Sequence, residues 1–325
     1  MYNISNKDIF YLNILRITKV YKMRIGIDLG GTKIESIALN DAGQELIRKR
    51  IKAPQGSYQN TLKAIVNLIL DIETETQLKG TVGIGIPGTI SPQTGLVKNA
   101  NSVWLIGQPL HADLESLLKR KVRIENDANC FVVSEATDGA AKDVSCVFGV
   151  IIGTGTGGGV FVQGQSIIGT NAIAGEWGHN SLPWPTAEEL PGRECYCGKK
   201  GCIETWLSGP GFAKDHNLRN YQPNTNSAEE IVSLAQQGDQ YARESLRYYE
   251  IRLAKSLASV INIIDPDVIV LGGGMSNIEQ LYTNVPKLWD EFIFSDHVTT
   301  KLVPPKHGDS SGVRGAAFLW PLNKL

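Results

Sequence analysis

Cys195, Cys197 and Cys202 fall within Cys-Tyr-Cys-Gly-Lys-Lys-Gly-Cys, a tight knuckle with two glycines. Three thiolates so closely spaced can take three of the four tetrahedral positions around Zn2+. The fourth ligand is assigned to His179, in Gly175-Glu176-Trp177-Gly178-His179, over His216, because His179 stands among glycines and near acidic residues. Disulfides are the competing reading, disfavoured by a Cys-x-Cys pair that suits no bridged framework and by the cytoplasmic location argued below. With four protein ligands the metal would be structural. Its use would be to fix Glu176 and Glu204 so that they hydrogen-bond a polyhydroxylated ligand. Cys130 and Cys146 lie in apolar helix and strand patterns and read as inert core residues.

A second set of residues is built to hold phosphate. Gly30-Gly31-Thr32-Lys33, Gly153-Thr154-Gly155 running on to Gly159, and Gly272-Gly273-Gly274 each end a predicted strand. There, backbone N–H groups can converge on phosphate oxygens without a Cβ in the way. One such turn alone is a hairpin; three at matching points of a repeat point to a nucleoside triphosphate. No Gly-x-x-x-x-Gly-Lys-Ser/Thr occurs, and no helix follows the first turn, so neither a P-loop nor a dinucleotide fingerprint is present. Asp28, just before the first turn, could hold Mg2+ through water, with Thr32 and Lys33 against phosphate. The third set is Asn126-Asp127-Ala128-Asn129 at a strand-to-helix junction. Asp127 is either the N-cap of that helix or a carboxylate that accepts a proton from an attacking hydroxyl, and the spacing suits both.

The elements that carry these residues alternate. Runs at 24–29, 34–39 and 45–51, separated by tight turns, predict consecutive antiparallel hairpins, followed by a helix with Leu62, Ile65, Val66, Ile69 and Leu70 at helical spacing. Buried strands are predicted at 82–86 and 122–125, and a helix from 128 to about 138. The plan then restarts at 147–152, with a glycine and threonine turn and a returning strand at 160–163. A long helix at 241–264, a strand at 268–271 and a last helix near 312–320 complete the pattern. The same device twice implies a duplicated α/β unit with a ligand cleft between the copies. At 325 residues the length suits two domains: 23–139, joined by the C-terminal helix (about 309–325), and a larger one at 140–308 carrying the knuckle.

Composition excludes several classes. Lys and Arg number 32 against 33 Asp and Glu, so no basic field steers the chain to nucleic acid or an anionic membrane, and a small-molecule partner fits better. The apolar run within residues 1–22 is short, is broken by Asn13, Arg16 and Lys19, and lacks a cleavage site. The protein is therefore expected in the cytoplasm, and residues 1–22 read as an extension outside the fold.

Together these residues resemble the ROK group (repressors, unassigned reading frames and sugar kinases) of the actin and hexokinase superfamily, over residues 23–320. The resemblance rests on Ile27-Asp28-Leu29-Gly30-Gly31-Thr32-Lys33, Gly85-Ile86-Pro87-Gly88, Glu125-Asn126-Asp127-Ala128-Asn129, Ile152-Gly153-Thr154-Gly155, Gly175 to His179, the knuckle through Glu204, and Leu271-Gly272-Gly273-Gly274. It implies a ribonuclease H-like two-domain fold and a hexose kinase that uses ATP and Mg2+, with Asp127 at the position of the catalytic base. Asn101, Asn126, Asp127, Glu176, His179 and Glu204 match sugar-contacting positions, and His179 with the three cysteines matches a zinc site. Gly30, Gly31, Thr32, Lys33, Gly153, Thr154 and Gly155 match phosphate turns; Gly272, Gly273 and Gly274 match a nucleoside loop. A homodimer is common in that family. Its repressors carry a DNA-binding domain for which the 22 residues before Met23 are too short, which favours the kinase.

Within the family, Gly88-Thr89-Ile90-Ser91-Pro92, Asn99-Ala100-Asn101-Ser102-Val103-Trp104 and the segment from Lys306 to Gly315 resemble bacterial fructokinases of the manno(fructo)kinase kind. The expected product is a hexose 6-phosphate, with fructose ahead of mannose and glucose. Trp104 is expected to wall the sugar loop and leave little room for an N-acetyl group. The rival readings are a non-catalytic sugar sensor and a kinase for another hexose, such as glucose or N-acetylglucosamine.

Overall fold

The computed structural model describes residues 23–220, 227–308 and 311–321. The extension read at residues 1–22 lies outside the described residues, as do Asp309, Ser310 and residues 322–325.

The chain begins with three antiparallel strands, β1 (Met23–Leu29), β2 (Lys33–Leu39) and β3 (Glu45–Lys52). Helix α1 (Tyr58–Thr76) opens at Ser57, whose hydroxyl accepts the Asn60 N–H. Strand β4 (Gly80–Ile86), the short hairpin β5 (Thr89–Ile90) and β6 (Val97–Lys98), helix α2 (Leu110–Leu118) and strand β7 (Val122–Asn126) follow. The first sheet runs β3-β2-β1-β4-β7, with β4 parallel to both neighbours. Alternation along β1 sends Met23, Ile25, Ile27 and Leu29 to one face, where they pack with Leu62, Ile65 and Ile69 of α1. The other face carries Arg24, Gly26 and Asp28.

Helix α3 (Asp127–Thr137) leads to the second sheet, made of β8 (Cys146–Ile152), β9 (Thr156–Val162), β10 (Gln165–Ser166), β11 (Val268–Gly272) and β12 (Lys301–Val303). Its order, β10-β9-β8-β11-β12, repeats the first sheet position for position, again with three antiparallel strands and then two parallel ones. This is the duplicated α/β arrangement expected from the repeated glycine and threonine turn. Helices α4 (Glu204–Leu207), α5 (Gly209–Asn220), α6 (Ala228–Gln237), α7 (Gln240–Ile264) and α8 (Leu281–Trp289) surround the second sheet, and α9 (Ser311–Phe318) returns to the first. The returning strand starts at Thr156, not at 160. Gly157, Gly158 and Gly159 stay in the ladder opposite Ile151, Val150 and Gly149, so only the residues before Thr156 form the turn. No described helix is long and apolar enough to cross a membrane.

Between the sheets lie α3 and α9. A helix packed on every side has no face left for solvent: Ala128 through Glu135 are all buried, and the polar Asn129 and Glu135 among them are held by hydrogen bonds. Its Phe131, Val132 and Val133 join Val313, Ala317 and Phe318 of α9 and Val147, Val268 and Val270 of the second sheet in one cluster. The approach is backbone to backbone. A Cβ on Gly315 would stand 1.6 Å from the Cys130 carbonyl oxygen, and one on Gly83 would stand 1.8 Å from that of Ala316. Only glycine lets α9 press onto both α3 and the sheet.

Gly315→Ala is therefore expected to destabilise the fold by about 2–3 kcal/mol or more, as overpacking against unyielding backbone does. Gly153→Ala, where an added Cβ would meet no atom within 4 Å, should stay within about 0.5 kcal/mol. Urea denaturation of the two variants checks the contrast.

Candidate functional site

A cleft of about 280 Å3 opens between the two halves. Pro87, Gly88, Asn99, Asn101, Asn126 and Asp127 line it from the first half; Thr154, Gly155, Glu176, His179, Tyr196 and Glu204 line it from the second. All six residues read as sugar contacts meet here. Lys98 donates to the Asn171 carbonyl at 2.7 Å and ties the two lips together.

Asp127 stands on the floor, as the first residue of α3. The cap is its neighbour: Asn126 Oδ1 accepts from Ala128 N–H at 2.9 Å and Asn129 N–H at 3.4 Å, while its Nδ2 donates to Gly88 O at 3.1 Å. The expectation that Asp127 could be the N-cap is thus corrected. Asn126 has taken the first orphan amides, its side chain is occupied in doing so, and the Asp127 carboxylate is left for the cleft. Asp127 Oδ1 also accepts the Ala128 N–H at 2.8 Å. Burial, then the charge of Asp28 and more weakly that of Glu176, push Asp127 up to about 7 against those amides. Asp28 is itself raised to about 6 by burial and then by Glu35, despite Lys33 and Arg50. Asp28 thus adds to the rise at Asp127, and two carboxyl groups within electrostatic reach of each other form a donor set that suits a divalent cation.

The second half aims its groups through loops pinned to β9. Trp177 Nε1 donates to Gly157 O at 2.9 Å and its ring meets Phe148 edge-on at 5.6 Å, which places Glu176 and His179 on either side of a fixed point. Glu204 Oε2 accepts the Thr156 N–H at 2.9 Å at the start of α4. His179 Nδ1, Cys195 Sγ, Cys197 Sγ and Cys202 Sγ all lie within 4.8 Å of one another. The Cys197 and Cys202 sulfurs are 3.6 Å apart, and Cys195 Sγ is 3.6 Å from Nδ1. Tetrahedral zinc requires about 3.8 Å and about 3.6 Å for such pairs, whereas a disulfide needs about 2.05 Å, so the donor set fits zinc.

The phosphate turns need correction in part. Gly30 N–H donates to Lys33 O at 3.0 Å and Gly153 N–H to Gly155 O at 2.9 Å, so these two amides close their own turns. Lys33 lies 4.0 Å from Glu35, a buried carboxylate that Arg48 and Arg50 also hold. Gly31 and Thr32 complete that hairpin; Thr32 O accepts from Ala53 N–H at 2.9 Å. Gly272 ends β11, with a Cβ there 2.7 Å from the Phe131 ring, so its smallness serves the core and not a ligand. Gly273, at φ 79°, turns the chain, and Gly274 faces a cavity of about 410 Å3 with Met275, Pro210 and Ser227. Gly153 and Thr154 line both this cavity and the cleft, which makes them the bridge between the two.

Trp104 does not line the cleft. It lies in the short helical turn Val103–Leu105, its Nε1 donates to Thr61 Oγ1 at 3.2 Å, and its ring packs on the first core. The wall expected against an N-acetyl group is absent because the indole is turned toward α1. Asn99 and Tyr196 were missed by sequence reasoning. Tyr196 lies between two cysteines, where the thiols draw the eye. Its hydroxyl is 3.1 Å from His179 Nε2.

The ROK family model matches residues 24–322. An N-acetyl-D-glucosamine kinase of Vibrio cholerae serotype O1 is 40% identical over 301 residues, covering 91% of this chain and 99% of that protein. Among solved structures, a ROK hexokinase from Thermus thermophilus is similar with a TM-score of 0.80 at 28% identity, covering 91% of this chain and 96% of that one. A ROK family glucokinase from Streptomyces griseus, in complex with glucose and AMPPNP, gives 0.74 at 26% identity, covering 91% and 98%.

The cap and the carboxylate should separate in stability measurements. Asn126→Ala is expected to cost about 1 kcal/mol through the lost cap. Because the folded pKa of Asp127 lies above its unfolded value, the ionised group costs stability progressively as pH rises through that interval to about 7. Asp127→Asn should therefore melt above wild type at pH 8, with the difference shrinking toward pH 4. Calorimetric scans across that range check the sign.

Proposed function

The chain belongs to the ROK family, and from its cleft we propose an ATP-dependent kinase that phosphorylates N-acetyl-D-glucosamine on the 6-hydroxyl. The observation that carries the chemistry is Asp127, a carboxyl group at the start of a buried helix, on the cleft floor and raised to about 7. A base whose pKa lies near the working pH is ionised often enough to accept a proton and basic enough to pull it. The sugar is argued from the relative, 40% identical along nearly the whole of both chains, and from the displaced Trp104, which removes the reason for disfavouring the aminosugar.

In this reading Asp127 takes the proton of the 6-hydroxyl as that oxygen attacks the γ-phosphorus of ATP, and the bond from that phosphorus to the β–γ bridging oxygen breaks, so that ADP leaves. Asn101, Glu176 and Glu204 hold the remaining sugar oxygens and keep the hydroxyl aligned, while His179, with both ring nitrogens engaged, holds Tyr196 at the edge of the pocket. The nucleoside lies in the cavity beside Gly274, and its phosphates pass Thr154 and Gly155 into the cleft. Asp28 would hold Mg2+, which supplies charge neutralisation for the transferring phosphoryl group. His179, Cys195, Cys197 and Cys202 would hold a structural zinc that keeps the loop from Glu176 to Glu204 in shape. A sensor without turnover would have no use for a carboxyl group tuned to the pH of proton transfer.

Competition assays are expected to place N-acetylglucosamine at least tenfold ahead of fructose in kcat/KM; the reverse order would restore the fructokinase reading, and sugar binding without ADP release would establish the sensor. Asp127→Asn should lower kcat by at least ~10² with sugar binding retained. The wild-type kcat/KM should fall as pH drops below about 7, where Asp127 gains its proton. Metal analysis should find zinc in the purified protein, and Cys197→Ser should lose it while raising KM for sugar more than KM for ATP. Activity without bound zinc would remove the metal from the account.

A further inference from the structure

Among the described cleft-lining residues Tyr196 is the one large aromatic side chain, and it is 78% exposed. Its place is nevertheless fixed. The phenol oxygen lies 3.1 Å from His179 Nε2, and the two rings meet edge-on, centroids 5.2 Å apart at 87°. On the other side of the imidazole, Nδ1 faces Cys195 Sγ at 3.6 Å. With Nδ1 directed at the sulfur cluster, Nε2 carries the ring proton and donates it to the tyrosine oxygen. The Tyr196 O–H is thereby turned outward as a donor, seeking an acceptor in the cleft.

The direction in which a bound sugar lies follows from the lining. Tyr196 and Glu204 are shared with a second cavity whose lining does not include Asp127, so Tyr196 stands on the side of the cleft that leads away from the base. A pyranose with its 6-hydroxyl at Asp127 points its opposite edge, C1 and C2, toward His179, Tyr196 and Glu204. Past Tyr196 the cleft opens into a further cavity of about 440 Å3, which shares Asn101, Gly155, Tyr196 and Glu204 with it and continues to Pro210 and Lys214. A substituent on C2 thus meets the tyrosine with open space behind it, and not a closed wall.

We infer that Tyr196 is the side chain that selects the substituent at C2, donating its hydroxyl to the carbonyl oxygen of an acetamido group and setting its ring against the methyl. An acetamide supplies both a strong acceptor and an apolar end, and a phenol is one of few side chains that answer both. A sugar with a bare 2-hydroxyl keeps its contacts to Glu176 and Glu204 and gains little from the ring. The inference rests on the proposed aminosugar kinase and adds to it the residue that distinguishes the sugars.

Two variants test it on the full-length protein. Tyr196→Phe removes the donor and keeps the ring; Tyr196→Ala removes both. Tyr196→Phe is expected to lower kcat/KM for N-acetylglucosamine at least tenfold, mostly through KM, with Tyr196→Ala lower still. For glucose both variants should stay within threefold of wild type. Bound zinc, measured by metal analysis, should be unchanged in each. Equal losses for both sugars, no loss for either, or release of zinc from Tyr196→Phe would overturn the inference while leaving the aminosugar kinase standing. A wild-type protein that does not phosphorylate N-acetylglucosamine would overturn both.

Discussion

The contact on which the site depends is the seating of one buried helix. Residues Asp127–Thr137 run between two sheets and a second helix, and Gly315 lets that second helix come to backbone contact at the Cys130 carbonyl. Close packing of this kind transmits small displacements and leaves no slack for a side chain to be added. Both ends of the helix are tied as well. Asn126 caps the first turn and bonds to Gly88 O, while near the other end Glu135 accepts from Ala140 N–H, Lys306 N–H and Ser311 Oγ–H. The helix therefore has one position, and Asp127 at its start has one place in the cleft.

The electrostatics follow from that placement. A carboxylate at a helix N-terminus is ordinarily favoured in its ionised form, and the amides of the first turn act that way here. Burial and the neighbouring carboxyl groups of Asp28 and Glu176 win, because in a cleft with little water the repulsion between like charges is weakly screened. The zinc-type cluster has the opposite task. In the proposed reading it contributes no chemistry to the reacting atoms and would hold the loop from Glu176 to Glu204 in shape.

Much of this was legible in the sequence. Strand-like runs at Met23–Leu29 and Cys146–Ile152, the first alternating and the second almost continuously apolar, each followed by a glycine and threonine turn, are enough to show that one unit is present twice. The cysteine knuckle could be read because thiolate spacing is a local property. What could not be read were distinctions that local sequence leaves open. Asn126 and Asp127 are both good caps, and Asn126 takes that role with its amide held by Gly88 O, far away in sequence. Gly272 and Gly274 look alike in a glycine run, yet one touches Phe131 and the other a cavity. Trp104 lies close in sequence to Asn101, but the short turn at Val103–Leu105 rotates it away from the cleft. Helix Gly209–Asn220 escapes a reading by pattern because Gly209-Pro210-Gly211 looks like a loop, although proline is well placed in a first helical turn.

The central claim is that the seated helix delivers a carboxyl group whose proton affinity matches neutral pH. Carbon-13 NMR of protein labelled at the aspartate carboxyl carbon, with Asp127→Asn to assign the signal, reads that affinity directly. A titration midpoint for Asp127 near 7 in the ligand-free protein is the predicted result. A midpoint near 4, roughly the value of a solvated aspartate, would contradict it and reduce Asp127 to an ordinary residue of the helix start.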